Sequence, residues 1–291
     1  MKAHLLYRSS SFRAALALAK ILPRTAFRCL ASMIGIFYWA FFPHYRRIIA
    51  SNLSRVFPND PARVRALTRR TFTNFARTLA DYCSLANAQP KQLDDVFSEM
   101  RGMEHLEEAL QRGQGAILVT AHLGNWELGG IATALRGIPL RVVTAEEPTP
   151  ELHALRENYR AACKIGTITL GDGQFSFLAA LEALRQNHAL AMLIDRPTAS
   201  AVEVTFFGTP LPFAAAPVAL AQATGVPILV AFCTLGSDGR YCAHIEPPLA
   251  LDGADGGRES LARNTQKLAT MFERAIREYP DQWFNFKPLW K

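Results

Sequence analysis

The chain has 291 residues, of which 49% are hydrophobic, with 17 prolines and 18 glycines; this composition supports a packed core and excludes a largely disordered chain. Five scattered cysteines without a CxxC pair argue for a reducing compartment, and against both a disulfide framework and a zinc site. The net charge of +7 is uneven, because residues 1–80 contain 14 lysines and arginines but one acid, Asp60, whereas residues 81–291 are net negative.

The basic first segment also contains the longest apolar run. The stretch SFRAALALAKILP predicts a short amphipathic helix that ends at Pro23, and Cys29 to Phe42 then passes without a charge between flanking arginines. A helix of that length spans about 21 Å, less than the ~30 Å hydrocarbon core of a bilayer. We expect a segment that lies in the headgroup region, with its arginines at anionic phosphates. The alternative is a buried core helix.

A second amphipathic pattern follows the turn at Pro58–Pro61. Apolar residues recur every three or four positions in the stretch ARVRALTRRTFTNFARTLADY, and the polar face is rich in arginine. Such a face is either solvated or extends the membrane contact. We therefore assign residues 1–95 to an N-terminal basic helical membrane-associating segment and residues 96–291 to an α/β domain.

After about residue 95, apolar runs alternate with helical stretches. The predicted strands are Ala116–Ala121, Leu140–Ala145, Thr167–Leu170, Ala189–Ile194, Val202–Phe207, Pro227–Thr234 and Tyr241–Ile245. The predicted helices are Glu104–Arg112, Trp126–Arg136, Glu151–Cys163, Phe175–Gln186, Ala215–Thr224 and Arg258–Tyr279. This alternation predicts an α/β fold, in which a central sheet has helices on its faces.

The stretch AHLGNWELGG contains the strongest candidate site. The run before His122 is uniformly apolar, as in a strand buried on both faces, so His122 falls at its carboxyl end, where open α/β sheets bind ligands. Gly124 permits a tight turn, and Asn125 is a favourable N-cap for the next helix. On one continuous helix, residues five apart point about 140° from each other. With a strand, turn and helix between them, Glu127 can fold back toward His122.

A carboxylate on one imidazole nitrogen fixes the tautomer and leaves the other nitrogen as a base for an attacking hydroxyl. The chain has no GxSxG motif, which fits a reaction whose nucleophile is a hydroxyl of the substrate. The alternative is structural: Glu127 complements the helix dipole and His122 packs in a turn.

AHLGNWE resembles the HxxxxD/E motif of glycerolipid-type acyltransferases, in the form typical of the lipid A late acyltransferase family of lauroyl and myristoyl transferases. The resemblance extends from NLSRVFPND through most of the chain. Its other blocks are LIDRP, VTFFGTPLPFAAAPVALAQATGVPILVAF, GRYCAHIEPPL and YPDQWFNF.

The resemblance implies a glycerolipid-acyltransferase-like central mixed sheet and a bacterial enzyme of lipid A or lipopolysaccharide synthesis. This enzyme would lie at the cytoplasmic face of the inner membrane, either as a peripheral or monotopic protein or through a single N-terminal anchor. The enzyme would transfer an acyl group from acyl-ACP or acyl-CoA, as co-substrate and without a cofactor, to a lipid hydroxyl. It also implies roles for the matching residues. His122 is the general base and Glu127 its orienting partner, whereas Asn125, Asp195, Arg196, Gly208 and Thr209 are expected at the substrate site.

Two blocks differ from the lipid A enzymes. Asp195-Arg196 stands where these enzymes commonly have Asp-Gln, and WFNFKPLWK stands where they commonly have a His-Arg-Arg type cluster. A lysophospholipid, phosphoglycolipid or polyene-type acceptor therefore stays open, as do a hydrolase and a non-catalytic lipid-binding protein of the same fold. Nucleic acid is not expected as a partner, because the arginines accompany a Trp- and Phe-rich run and no nucleic-acid motif is present.

Overall fold

The computed structural model describes residues 9–85, 93, 95–170, 174–197, 201–253 and 257–290. The helices of this part of the chain are α1 (Ser9–Ile21), α2 (Arg24–Phe41), α3 (Pro43–Val56), α4 (Pro61–Ser84), α5 (Met103–Gln111), α6 (Trp126–Leu135), α7 (Pro150–Ala162), α8 (Gln174–Arg185), α9 (Ala216–Thr224) and α10 (Arg258–Glu278). The strands are β1 (Phe97–Arg101), β2 (Ala116–Thr120), β3 (Leu140–Ala145), β4 (Ile165–Leu170), β5 (Ala189–Leu193), β6 (Ala201–Phe206), β7 (Thr209–Ala214), β8 (Ile228–Leu235) and β9 (Tyr241–Ile245).

The described strands form a seven-stranded mixed sheet in the order β1-β9-β8-β2-β5-β3-β4, and a separate hairpin of β6 and β7. Within the seven-stranded sheet, strands β8, β2, β5, β3 and β4 are parallel to their neighbours in that order, β1 is parallel to β9, and the β8–β9 pair is antiparallel. The α/β prediction is confirmed. Because β2 and β5 are adjacent and parallel, with Thr120 opposite Leu193, the residues that follow them meet at one edge of the sheet.

The central strand β2 is buried on both faces, as its apolar sequence predicts. Ile117 and Val119 join a core beneath α3, α4 and α10, whereas Ala116 and Leu118 join a second core that includes side chains of α2, α6 and α7. Alternate side chains of a strand point to opposite faces, so one five-residue strand contributes to both cores. The carboxyl end of β2 is therefore held rigidly.

Strands β1 and β7 were not predicted from the sequence, and a third predicted strand lies outside the central sheet. Strand β1 has only one buried apolar residue, Phe97, so it has no clear apolar period. Strand β7 contains Pro210 and Pro212, which favoured a turn. The predicted strand Val202–Phe207 is close to β6, but β6 pairs with β7 outside the central sheet. A two-stranded hairpin tolerates proline because one edge of each strand makes no ladder hydrogen bonds.

The N-terminal helices pack on the rest of the chain. Helix α1 ends before Pro23 and α4 follows the turn at Pro58–Pro61, both as predicted. Helix α2 buries one face against α4 and leaves Met33, Phe37 and Phe41 exposed. No single described helix is long and apolar enough to cross a membrane, whereas α2 and α3 together pass that test with a 92° bend between them.

Candidate active site

His122 lies two residues beyond the end of β2, at the carboxyl edge of the sheet. Its backbone carbonyl accepts a hydrogen bond of 2.7 Å from the backbone N–H of Phe284, which fixes the chain at this point. The imidazole edge packs against Trp126, and 15% of the side chain remains exposed. His122 is therefore a nearly buried histidine with limited access to solvent.

The carboxylate on the imidazole belongs to Asp195. His122 Nδ1 lies 2.5 Å from Asp195 Oδ1, and the backbone N–H of His122 donates to Oδ2 at 3.1 Å. Asp195 lies two residues beyond β5 and has no exposed surface. With Asp195 ionised, Nδ1 is the protonated nitrogen and Nε2 keeps its lone pair. Neighbouring parallel strands thus produce this pair from residues 73 positions apart.

The C-terminal segment holds the aspartate in place. The indole N–H of Trp283 donates to Asp195 Oδ2 at 3.0 Å, and the Asn285 amide donates to the same oxygen and to the backbone carbonyl at 3.4 Å. Trp283 and Asn285 are fully buried. Both residues lie in the YPDQWFNF block, for which the sequence pattern predicted no role at the site. Polar residues inside a strongly aromatic stretch were the available signal.

The surroundings of His122 and Asp195 lower the pKa of both side chains. Burial lowers the pKa of His122 below 6.5; the Asp195 carboxylate opposes this effect, and the positive charges of Arg196 and Lys287 add to it. Burial alone would raise the pKa of Asp195, but the charge and hydrogen bond of His122, the charge of Arg196 and the Trp283 hydrogen bond outweigh it and bring that pKa to about 2. At neutral pH the imidazole is uncharged and the carboxylate is ionised.

The turn between His122 and the next helix is built as predicted. Gly124 has φ +67°, and a Cβ there would lie 2.0 Å from the carbonyl oxygen of Cys233, so the turn requires glycine. Asn125 caps α6: its Oδ1 accepts from Leu128 N–H at 3.1 Å, while its backbone N–H donates to Cys233 at 2.6 Å. Asn125 is buried beneath the turn and acts as a structural cap.

A buried carboxylate connects this cap to the N-terminal helices. The Asn125 amide donates to the Tyr241 hydroxyl at 3.4 Å, and that hydroxyl donates to Asp81 of α4 at 2.8 Å. Asp81 also pairs with Arg24 and Arg28 of α2, at 2.8 and 2.7 Å. The position of α2 is therefore coupled through hydrogen bonds to the turn that carries His122.

The expected contact between Glu127 and His122 requires correction. Glu127 does lie in the first turn of α6, but its carboxylate binds Arg160 of α7, with Oε1 at 2.6 Å from Nη2 and Oε2 at 3.3 Å from Nε. Burial would raise the pKa of Glu127, yet the charge and hydrogen bond of Arg160, with the charge of Arg156, lower it. Arg160 is buried, so it requires a carboxylate partner. The orienting position on Nδ1 is occupied by Asp195.

Arg196 and Lys287 bring positive charge to the same sheet edge. Arg196 Nε donates to Asn285 Oδ1 at 3.0 Å, so its guanidinium is held beside the residue that holds Asp195. Burial and the charge of Arg196 lower the pKa of the Lys287 ammonium. Both cations act on the His122 imidazole. Arg196 was expected at this site from the sequence, whereas Lys287, which belongs to the WFNFKPLWK block, was not.

Gly208 and Thr209, which were expected at the substrate site, lie at the turn of the β6–β7 hairpin. Phe207 and Gly208, both with positive φ, form the tip of the β6–β7 hairpin, and Thr209 begins β7. The backbone N–H of Phe207 donates to Glu273 at 2.5 Å, and Thr209 Oγ1 accepts from Arg55 at 3.5 Å. Within the described part of the chain, no hydrogen bond joins Gly208 or Thr209 to His122. The hairpin approaches the site through aromatic contacts of Phe206 and Phe207 with Trp283.

The match to known families extends over nearly the whole chain. The family model for bacterial lipid A biosynthesis acyltransferases matches residues 4–291. The chain belongs to this family. Within the described residues of this family member, no group of three His, Cys, Asp or Glu side chains could hold a metal ion.

Three relatives are phosphatidylinositol mannoside acyltransferases. Those of Mycobacterium tuberculosis strains CDC 1551 / Oshkosh and ATCC 25618 / H37Rv are 33% identical over 203 and 205 residues, which is 69% of this chain and 61% of each relative. That of Mycolicibacterium smegmatis is 30% identical over 245 residues, 82% of this chain and 77% of the relative. The chain thus spans about three fifths of the length of the first two relatives.

Proposed function

We propose that this family member is an O-acyltransferase, in which His122 takes the proton from a hydroxyl of a lipid or glycolipid acceptor. The observation that carries the proposal is the 2.5 Å contact between His122 Nδ1 and the buried carboxylate of Asp195. It leaves Nε2 as the basic nitrogen, and the lowered pKa keeps the imidazole uncharged at neutral pH. Membership of an acyltransferase family supports the reaction class.

The reaction then proceeds by general base catalysis. Nε2 of His122 removes the proton of the acceptor hydroxyl as its oxygen bonds to the thioester carbonyl carbon. The tetrahedral intermediate carries a negative oxygen. When it collapses, the carbon–sulfur bond breaks, the imidazolium returns its proton to the thiolate, and the ester and the free thiol leave. Asp195 stabilises the imidazolium and keeps the Nδ1 proton in place.

Among the described residues, Arg196 and Lys287 are two cations whose charges act on His122, and both can stabilise negative charge there. Both cations lower the pKa of His122, so their fields reach the reacting nitrogen. An oxyanion next to that nitrogen would benefit from the same positive potential. We assign Arg196 to the oxyanion or to the acceptor, which are the positions that the lipid A enzyme pattern implies for it.

The acceptor that we propose is a hydroxyl of a glycolipid. The family model is named for lipid A biosynthesis, and the named relatives act on phosphatidylinositol mannoside, so both point to a sugar-bearing lipid. The Asp195-Arg196 and WFNFKPLWK blocks lie at the site and differ from the usual lipid A pattern. Four kinds of lipid therefore form the panel of acceptors to be assayed. A lipid A precursor and a phosphoglycolipid come first, followed by lysophospholipid and polyene-type lipids.

The donor that we propose is acyl-ACP or acyl-CoA, and the place of reaction is the cytoplasmic face of a bacterial inner membrane. The exposed apolar residues of α2 and the excess of arginine in residues 1–80 support attachment to an anionic membrane surface. The same positive field would attract an acidic acyl carrier protein.

The test is acyl transfer by the purified full-length protein. Labelled acyl-ACP or acyl-CoA is incubated with each acceptor of the panel, and the products are separated by chromatography. His122→Ala should lower kcat by about 10²–10⁴, the usual contribution of a positioned base. His244→Ala is the matched control, because that side chain is 40% exposed and pairs with Glu246. Equal activity of the His122 variant and the wild type would refute the general-base role, and label released only as free fatty acid would indicate a hydrolase.

A further inference from the structure

A groove runs between α2 and α4, on the outer side of the N-terminal helices. It has a volume of about 400 Å³ and is lined by Ile36, Ala66, Arg69, Arg70 and Thr73. The four lining residues of α4 follow the i, i+3, i+4, i+7 spacing of one helix face. Two arginines, one hydroxyl and no acid line this groove, so its chemistry favours an anion.

An exposed apolar row lies beside the groove. Met33, Phe37 and Phe41 of α2 are 60%, 51% and 69% exposed, and they are spaced by four residues along the helix. Ile36, one position before Phe37, lines the groove itself. Ile36 therefore links the groove, whose arginines belong to α4, to the exposed apolar face of α2. This is the arrangement of a surface that meets acyl chains and headgroups together.

Packing fixes α2 and α4 relative to each other. Gly35 of α2 lies so close to α4 that a Cβ there would approach the Phe72 carbonyl oxygen to 2.6 Å. Trp39, one turn further on, has two guanidinium groups at 5.7 Å from its ring centroid, those of Arg46 and Arg69. Tryptophan is typical of the membrane interface, and a stacked arginine is held in place.

A second cavity next to the groove is less suited to an anion. It has a volume of about 310 Å³, shares Ala66 and Arg70 with the groove, and is also lined by Glu278 and Asp281. Arg70 Nε pairs with Asp281 at 2.8 Å. Arg70 is therefore anchored between the two cavities, and Arg69 is the arginine that belongs to the groove alone.

We propose that this groove binds the phosphodiester of an anionic phospholipid, with the acyl chains of that lipid along Met33, Phe37 and Phe41. The guanidinium of Arg69 contacts the phosphate oxygens, and Arg70 and Thr73 complete the site. The inference rests on the membrane attachment within the proposed function and gives that attachment a specific lipid site. It places the bound lipid on α2, the helix whose arginines reach the catalytic turn through Asp81.

The test is binding of the full-length protein to vesicles, measured by flotation. Mixed phosphatidylcholine and phosphatidylglycerol vesicles are compared with pure phosphatidylcholine vesicles. Arg69→Gln is the test variant. Arg65→Gln is the matched control, because Arg65 is an exposed arginine of the same helix that does not line the groove.

Arg69→Gln should weaken binding to the mixed vesicles about tenfold or more, as expected when a charged hydrogen-bonding group is lost. Arg65→Gln should weaken it about fivefold or less, the general effect of one charge near an anionic surface. Equal losses in the two variants would overturn the proposal, since they would show only general surface attraction. Displacement of the vesicles by inorganic phosphate at the concentration of the lipid phosphate would also overturn it.

Two controls separate this site from the proposed catalysis and from folding. His122→Ala should bind vesicles as the wild type does, so lipid binding and acyl transfer are measured independently. Thermal unfolding of the Arg69→Gln and Arg65→Gln variants should stay close to that of the wild type, because both side chains are exposed and the contact of Arg69 with the Trp39 ring is a small contribution at an exposed site.

Discussion

Replacement of Asp195 by asparagine should change the tautomer of His122. Asp195 Oδ2 accepts from the backbone N–H of His122, the Trp283 indole and the Asn285 amide, whereas Oδ1 faces His122 Nδ1. The asparagine oxygen should take the Oδ2 position, because an NH₂ group there would face three donors. Its NH₂ group then points at Nδ1, which must accept, so the imidazole proton moves to Nε2. Nε2, the nitrogen proposed as the base, then carries a proton and cannot accept one from the acceptor hydroxyl.

The size of the effect follows from this geometry. A base in the wrong tautomer costs a factor on the order of 10⁴ in kcat when the surrounding contacts are kept. The free energy of unfolding should fall by only about 1–3 kcal/mol, because hydrogen bonds to a charged group become neutral ones. The assay is steady-state acyl transfer with the best acceptor of the panel, together with urea unfolding of the same preparation. KM should change little, because the substitution leaves the site surface in place.

Compared with Asp195→Asn, Glu127→Gln should lower the free energy of unfolding more and the catalytic activity less. Its carboxylate pairs with buried Arg160, and a buried pair that loses one partner destabilises the fold by about 3–5 kcal/mol. Glu259→Gln is the matched control, since Glu259 is 94% exposed and its pair with Arg263 has a distance of 3.7 Å. Activity of the folded Glu127 variant should exceed that of Asp195→Asn. The assignment of Asp195 as the carboxylate that orients His122 would be refuted by a kcat of Asp195→Asn within about tenfold of the wild type, together with a far larger loss of kcat in folded Glu127→Gln.

Two further outcomes are expected. In a pH-rate profile, the acid limb of kcat/KM should lie below pH 6.5, because burial lowers the pKa of His122 and the imidazole acts as a base only when it is unprotonated. The positive charge of Lys287 also lowers this pKa. Lys287→Gln removes that charge, so the acid limb of the variant should move to higher pH. In urea unfolding, Gly113→Ala should lower the free energy of unfolding by about 1–2 kcal/mol through backbone strain alone. Gly124→Ala should lower it further, because the added Cβ would also meet the Cys233 carbonyl. Equal losses in the two variants would contradict this close approach at Gly124.

The local elements of the site could be predicted from the sequence. The apolar run before His122, the glycine and the Asn125 cap fixed a strand, a tight turn and a helix, since each depends on residues close together in the chain. The same holds for the end of α1 before Pro23 and for the turn before α4. Asp195 and Arg196 were also placed correctly at the same sheet edge, because the ends of parallel strands coincide.

The pairing of the charged groups could not be predicted from the sequence, because it depends on how the whole chain folds. Glu127 is five residues from His122 in sequence, but buried Arg160 binds it, and strand order brings Asp195 to the imidazole from 73 residues away. Trp283 reaches the same carboxylate through the packing of the C-terminal segment. Strand order, burial and the need to neutralise each buried charge are properties of the whole fold. Spacing along the chain predicted the turn that carries His122, and the sheet selected its partner.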